Sequence, residues 1–196
     1  MLELELKAVV PDAALLRAAL ARHGSVRFSG RLLDRRLDQG GALVARDEVL
    51  RIRRHEGHDG SVREELGWKG PVHRSAEGYK ARRELEIGLT DGAPAGELLA
   101  ALGYQVIHAV DRWVEVWDIG GGTARIEWYP DLDVLLEVEG DPAAIEQIIA
   151  LTGIAREQFS ADALVDFVRR FEIRTGRPAR VALDSHDEQP PHWPAE

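Results

Sequence analysis

Leu2-Glu3-Leu4-Glu5-Leu6-Lys7 is a strict alternation of apolar and charged residues. Period two is the signature of a β-strand with one residue class on each face. Leu2, Leu4 and Leu6 point one way; Glu3, Glu5 and Lys7 point the other. Taken alone, such a strand turns its charged face to water. Neighbouring carboxylates repel, however, and they gain only when a cation or a set of basic groups sits against them. The reading of the chain therefore turns on whether other strands supply that complement.

Several do. After a helix opened by Pro11 and Asp12, with Ala14, Leu15, Ala18, Ala19 and Leu20 as its apolar side and Gly24 as its stop, residues 25 to 38 read as a strand ending near Asp34 and Asp38. Residues 48 to 56 follow as a strand in which Leu50 and Ile52 alternate with Arg51 and Arg53. A tight Gly57-His58-Asp59-Gly60 connection leads to residues 61 to 69, closed by Lys69-Gly70-Pro71. Residues 79 to 89 place Arg82, Glu84 and Glu86 on one line. A helix over 91 to 103 precedes a long strand, 104 to 119, that carries Arg112. The Gly120-Gly121-Gly122 turn returns it into 123 to 128, which carries Arg125 and Glu127. Residues 134 to 139 form the last strand, with Leu135, Glu137 and Glu139 opposite Val134, Leu136 and Val138. Helices follow at 141 to 152 and 161 to 171.

The chain has 196 residues, 21.7 kDa, 44% hydrophobic and 30% charged residues, so one buried domain is expected and global disorder is excluded. Residues 1 to 174 form that domain; residues 175 to 196, with Pro178, Pro190, Pro191 and Pro194, read as a polar, mobile tail in which Trp193 is the one candidate for docking. With no cysteine, disulfides and thiolate metal sites are excluded, and any metal is held by oxygen or imidazole. The net charge of −9 opposes nonspecific nucleic-acid binding. No apolar run is long enough to span a membrane and no signal-peptide pattern is visible, so a cytoplasmic location is the expectation.

About eight strands and three or four helices give an α+β protein. Charged faces on several strands imply an antiparallel sheet, closed or nearly closed, with its charged faces inward and helices on its apolar outside. Burying so many ions without a ligand costs several kcal/mol for each unpaired one. A tunnel that binds a polyanion and a divalent metal resolves that cost, with basic groups on phosphate oxygens and carboxylates on the metal.

The ordered series resembles the CYTH superfamily, also called triphosphate tunnel metalloenzymes. It comprises Glu3-Leu4-Glu5-Leu6-Lys7 (E-x-E-x-K), Asp34 and Asp38, Leu50-Arg51-Ile52-Arg53, Lys69-Gly70-Pro71, Arg82-x-Glu84-x-Glu86, Arg112, Glu127 and Glu137-Val138-Glu139, across residues 1 to 171. The resemblance implies an eight-stranded antiparallel tunnel acting on triphosphates. Carried over by position, Glu3, Glu5, Glu137 and Glu139, with Glu127, would bind Mg²⁺ or Mn²⁺, and Glu84 and Glu86 would bind metal or orient the basic residues. Lys7, Arg51, Arg53, Lys69, Arg82 and Arg112 would grip phosphates, joined by Arg125. Lys7, Glu5 and Glu137 are the catalytic candidates.

The implied activity is metal-dependent hydrolysis of inorganic tripolyphosphate, thiamine triphosphate or a nucleoside triphosphate, releasing orthophosphate. The alternatives are a class IV adenylyl cyclase and a noncatalytic polyphosphate-binding module. The partner is then a small-molecule triphosphate, and a homodimer is compatible with the antiparallel edges. Arg35, Arg36 and Leu37 stand where many relatives have aromatic residues, and Val110 where a second basic residue is common, which leaves substrate and general base open. The seven histidines, His55 and His58 among them, show no metal spacing and read as surface or loop residues. Trp113 and Trp117 read as packing beneath a helix.

Overall fold

The structure, a computed structural model, describes residues 2–183 and 193–194. Its strands are β1 (Leu2–Val9), β2 (Ser25–Asp38), β3 (Val49–Gly57), β4 (Val62–Lys69), the two-residue β5 (His73–Arg74), β6 (Lys80–Leu89), β7 (Gln105–Ile119), β8 (Gly122–Trp128) and β9 (Leu135–Glu139). Its helices are α1 (Ala13–Leu20), α2 (Gly92–Ala101), α3 (Pro142–Thr152) and α4 (Leu164–Thr175). All strand pairings are antiparallel, in the order β1-β9-β8-β7-β2-β3-β4-β6, and β6 returns to β1 to close an eight-stranded barrel. The short β5 extends one side of β6 beyond the end of β4 and was not foreseen.

The barrel is inverted relative to the common arrangement, in which apolar faces fill the inside. Leu6, Ala8, Leu136, Val138, Ala124 and Ile126 face outward into a core completed by Leu16 and Leu20 of α1 and by Ile145, Ile148 and Ile149 of α3. Trp113 and Trp117 belong to the same core. Asp141 starts α3 by accepting a hydrogen bond from the Ala144 amide, with Pro142 next to it. On α1 the buried stripe is Leu16 and Leu20; Leu15, expected inside, is 70% exposed. The helix begins at Ala13 behind the Asp12 cap, whose side chain accepts from the Leu15 amide.

One side of the barrel is packed by α4. Phe167 and Phe171 join Val110, Tyr129, Leu132 and Leu135 in a separate apolar cluster. Leu135 shares its strand face with Glu137 and Glu139, so this cluster ends the charged lining along β9. The C-terminal segment expected to be mobile is partly attached. Asp131 and Arg180 exchange backbone hydrogen bonds, the Leu183 amide donates to Asp111, and buried Trp193 donates its indole N–H to the Tyr129 carbonyl. Pro190 and Pro191 lie outside the described residues.

Because Ile148 is fully buried between α3 and the barrel wall, Ile148→Ala is expected to destabilise the protein by about 2–5 kcal/mol in urea unfolding.

Candidate active site

The inward faces of the barrel carry two connected groups of charges beside a cavity of about 1080 Å³. The acidic group comes from the two strands whose patterns opened and closed the domain. Antiparallel register sets Glu5 opposite Glu139 and Lys7 opposite Glu137. Glu3 lies two residues before Glu5 on the same face, and carboxylate oxygens of Glu3, Glu5 and Glu139 lie within 4.8 Å of one another. Like charges in directly opposed positions destabilise a sheet unless something compensates them. Burial, followed by the Glu139 carboxylate, pushes the Glu3 pKa up to about 9. Lys69 Nζ, 3.8 Å away, only partly offsets this. Glu5 behaves differently: burial would raise it, but an ion pair with Lys80 draws it below the ordinary value.

The basic group is arranged by Asp34 on β2. Its Oδ1 accepts from Arg53 Nε at 2.5 Å, and its Oδ2 accepts from Arg53 Nη2 at 2.8 Å and Arg112 Nη1 at 3.2 Å. Arg51 Nη1 is 3.9 Å from the same carboxylate. Burial would raise the Asp34 carboxyl, yet Arg53 and Arg112 hold it well below the usual carboxylate range. Arg51 shows the opposite balance: burial and the nearby Arg53 lower its guanidinium to about 10. Burial also lowers Lys69, and Arg51 lowers it further. These cations crowd one another, which is the electrostatic condition of a site ready for an anion.

Deeper in the barrel, Glu127 Oε1 accepts from Arg112 Nε at 2.9 Å and Arg125 Nε at 3.0 Å, while its Oε2 accepts from the Tyr129 hydroxyl at 2.8 Å. Glu137 pairs with both Arg125 and Lys7, and Lys7 Nζ also lies 3.3 Å from Glu5. Glu84 accepts from Lys69 at 2.5 Å, and Glu86 from Arg51 Nη2 at 2.8 Å. Of the seven carboxylates expected around a metal, the structure groups Glu3, Glu5 and Glu139. It places Glu127, Glu137, Glu84 and Glu86 against arginines and lysines. Arg82 donates to the backbone carbonyls of Gly70 and Asp47, fastening β6 to neighbouring loops away from the cavity lining.

Several tunnel residues escaped the sequence reading. Lys80 opposes Glu5 across the β1–β6 pair, and Arg36 extends the inward row that includes Asp34. Strand parity from Arg82 and Asp34 would have found both. His55 corrects an expectation outright: it is 5% exposed and lies inside the barrel, continuing the Arg51, Arg53 row. Its Nε2 is 3.2 Å from Glu65 and its Nδ1 is 3.0 Å from Arg63 Nη2. A guanidinium only donates, so Nδ1 accepts and the imidazole proton sits on Nε2. Asp38, by contrast, leaves the tunnel and caps a loop, accepting from the Gln39, Leu43 and Val44 amides.

The donor set fits a divalent cation. Three carboxylates converge, hard oxygen ligands suit Mg²⁺ or Mn²⁺, and burial together with the Glu139 carboxylate, the two causes that raise Glu3, would both be offset by such an ion. The basic set fits phosphate oxygens, which guanidinium forks grip in bidentate fashion. Asp34→Asn is expected to cost about 3–5 kcal/mol in stability by leaving buried guanidiniums without their common counter-charge. Adding tripolyphosphate should raise the thermal midpoint of this variant more than that of the parent, as scanning calorimetry would show.

No protein-family model and no curated protein matches the sequence. Solved structures do match in fold. The PH1819 protein from Pyrococcus horikoshii OT3 is 21% identical with a TM-score of 0.70, over 86% of this chain and 98% of that one. A candidate adenylate cyclase from Vibrio parahaemolyticus is 17% identical with a TM-score of 0.72, over 86% and 98%. HpAC1 from Hippeastrum, a candidate adenylyl cyclase described as having a dominant triphosphatase activity, is 16% identical with a TM-score of 0.57, over 94% and 92%. These likenesses show the fold: the chain shares with these structures a closed eight-stranded antiparallel barrel, here with an inward charged lining.

Proposed function

We propose that the protein is a divalent-metal-dependent triphosphatase that releases orthophosphate from a triphosphate substrate. The observation that carries this reading is the convergence of Glu3, Glu5 and Glu139 beside the Arg51, Arg53 and Lys69 side of the same cavity. A polyphosphate chain needs both, because its charge exceeds what the basic residues alone neutralise. A binding module needs the arginines but gains nothing from three crowded carboxylates.

In this reading Arg51, Arg53, Lys69 and Arg125 hold nonbridging phosphate oxygens and stabilise charge that grows on the transferred and leaving groups. Arg112 acts behind them, fixing Asp34 and Glu127 and so the direction of the Arg53 and Arg125 forks. Glu3, Glu5 and Glu139 would hold the cation, which supplies Lewis-acid neutralisation of phosphate oxygens. Lys7 Nζ points at Glu5 and Glu137, so carboxylates rather than the amine present lone pairs to an attacking water. That arrangement favours a carboxylate as proton acceptor. The second reading, cyclisation of ATP to cyclic AMP and pyrophosphate, draws on the description given to the Vibrio structure. It would use the same phosphate grip with a ribose hydroxyl as nucleophile.

A panel of tripolyphosphate, thiamine triphosphate and nucleoside triphosphates with Mg²⁺ or Mn²⁺, products resolved by chromatography, tests the proposal. Orthophosphate is expected; cyclic AMP would select the cyclase, and binding without turnover the binding module. Glu5→Ala and Glu137→Ala should reduce turnover to near background. Arg53→Ala should weaken it by about tenfold to a hundredfold, the loss of a charge-assisted hydrogen-bond pair.

The Glu3 carboxyl, with its pKa near 9, carries a proton at pH 7 that a cation must displace. Cation affinity is therefore expected to rise between pH 7 and 9, by up to about tenfold per unit, and to level off above. Titration calorimetry in buffers of different ionisation enthalpy should show about one proton released per ion bound at pH 7. A pH-independent affinity with no proton release would remove Glu3 from the cation site.

A further inference from the structure

The barrel closes over only part of β6. Residues 2–5 of β1 pair with residues 80–83, while residues 84–89 run on beside β4. Among the described residues, no strand and no backbone hydrogen bond occupies the other side of residues 85–89. One bond fixes which backbone groups are left open. The Arg83 carbonyl accepts from the Gly70 amide on the β4 side, 2.9 Å away. Strand alternation then turns the backbone groups of Leu85, Ile87 and Leu89 toward β4, and those of Glu86 and Gly88 toward the open side.

The side chains on this edge are unlike those of a solvated one. Leu85 and Ile87, on the outer face, are 49% and 60% exposed. Residues 85–89 include no proline or lysine, and their register against β4 is unbroken, so the usual devices that blunt a sheet edge are missing. β7 also runs on past β8, but there a register shift against β2 bends the strand and the Asp111 amide donates to the Val181 carbonyl. Open N–H and C=O groups beside exposed apolar side chains form a template for a further strand.

The strand that fits is β6 itself. Antiparallel pairing about a twofold axis at Ile87 sets Ile87 against the partner's Ile87, Leu85 against the partner's Leu89, and Glu86 against the partner's Gly88. Glu86 and the partner's Gly88 then exchange both backbone hydrogen bonds. Asp91 keeps an extended backbone, so exposed Arg83 comes opposite the partner's Asp91, a pair of opposite charge. The space that the partner's Glu86 enters is open, since a Cβ on Gly88 would meet no atom within 4 Å. Neighbouring registers are worse. An axis at Glu86 sets that carboxylate against its own copy, an axis at Leu85 sets Glu84 against the partner's Glu86, and an axis at Gly88 sets Leu85 against the partner's Asp91. Like charges directly opposed destabilise a strand pair.

We propose that the protein forms a twofold dimer in which β6 pairs with β6 of a second copy and joins the two barrels in one continuous sheet. This dimer is independent of the triphosphate reading, and neither fails with the other.

Sedimentation velocity on the full chain over a range of concentrations is expected to show a monomer–dimer equilibrium. Ile87→Lys places like charges on the axis, and Gly88→Pro removes an edge N–H that β4 does not use. Each should weaken dimerisation by about tenfold or more, with the thermal midpoint of the diluted protein close to that of the parent. Crosslinking tests the register, because the chain has no cysteine of its own. A pair without mutual hydrogen bonds brings Cα atoms to about 4.5 Å, within disulfide reach. Under mild oxidation Ile87→Cys should give a disulfide-linked dimer, Leu85→Cys alone should not, and Leu85→Cys mixed with Leu89→Cys should. A chain that stays monomeric at every concentration overturns the proposal. So does a dimer that Ile87→Lys and Gly88→Pro leave unchanged and that Ile87→Cys fails to link.

Discussion

The tunnel depends on one carboxylate. Asp34 holds Arg53 through both oxygens, reaches Arg112, and lies within Coulombic range of Arg51. Three guanidiniums on β3 and β7, the two strands that flank β2, would otherwise repel one another in a low-dielectric interior, where an unpaired ion costs several kcal/mol. With Asp34 between them they are fixed in direction, while burial and then Arg53 still lower the Arg51 guanidinium to about 10. Arg112 then passes the constraint to Glu127, Glu127 to Arg125, and Arg125 to Glu137. A chain of alternating charges runs from β2 to β9, and each fork points where its neighbour leaves it room.

Such a lining requires the reversed barrel. Leucines and isoleucines that would fill an ordinary barrel face outward, and α1 and α3 cover them. The energetic source of the fold is thus the outer core, where Leu6, Ile126, Leu136, Val138, Ile145 and Ile148 are all buried to 2% exposure or less. The interior is a net electrostatic cost held in place by that core. The fold keeps a rigid wall because the wall carries the charges: a shift of register by one residue would send every glutamate and arginine to the helix side.

Strand parity made most of this legible. Leu2 to Lys7, the Arg51 and Arg53 strand and Glu137 to Glu139 each declare which residues share a face, and the charge on those faces implies an inward site. What parity alone did not settle was partnership. Glu127 and Glu137 share the inward face with Glu139, but Arg112, Arg125 and Lys7 reach them across strands, a matter of register between distant segments. His55 was misread because its type suggested a loop, although its position in the Arg51-x-Arg53-x-His55 row pointed inward. The α1 stripe was misplaced by a single residue, since Ala14, Leu15, Leu16 and Ala18 offer more than one apolar face and only docking on the sheet selects Leu16 and Leu20.

Glu3 and Arg51 state the same problem with opposite sign. Burial pushes Glu3 up and the Glu139 carboxylate pushes it further, while burial pushes Arg51 down and the Arg53 guanidinium pushes it further. Lys69, 3.8 Å from Glu3, and Arg125, 3.4 Å from Glu139, link the two groups, yet Glu3 stays raised and Arg51 lowered. A cation at the first group and an anion at the second would relieve both. A metal-complexed triphosphate brings both in one molecule. Its binding would therefore stabilise the barrel by more than either ion alone, because each half removes the repulsion that the fold itself cannot remove.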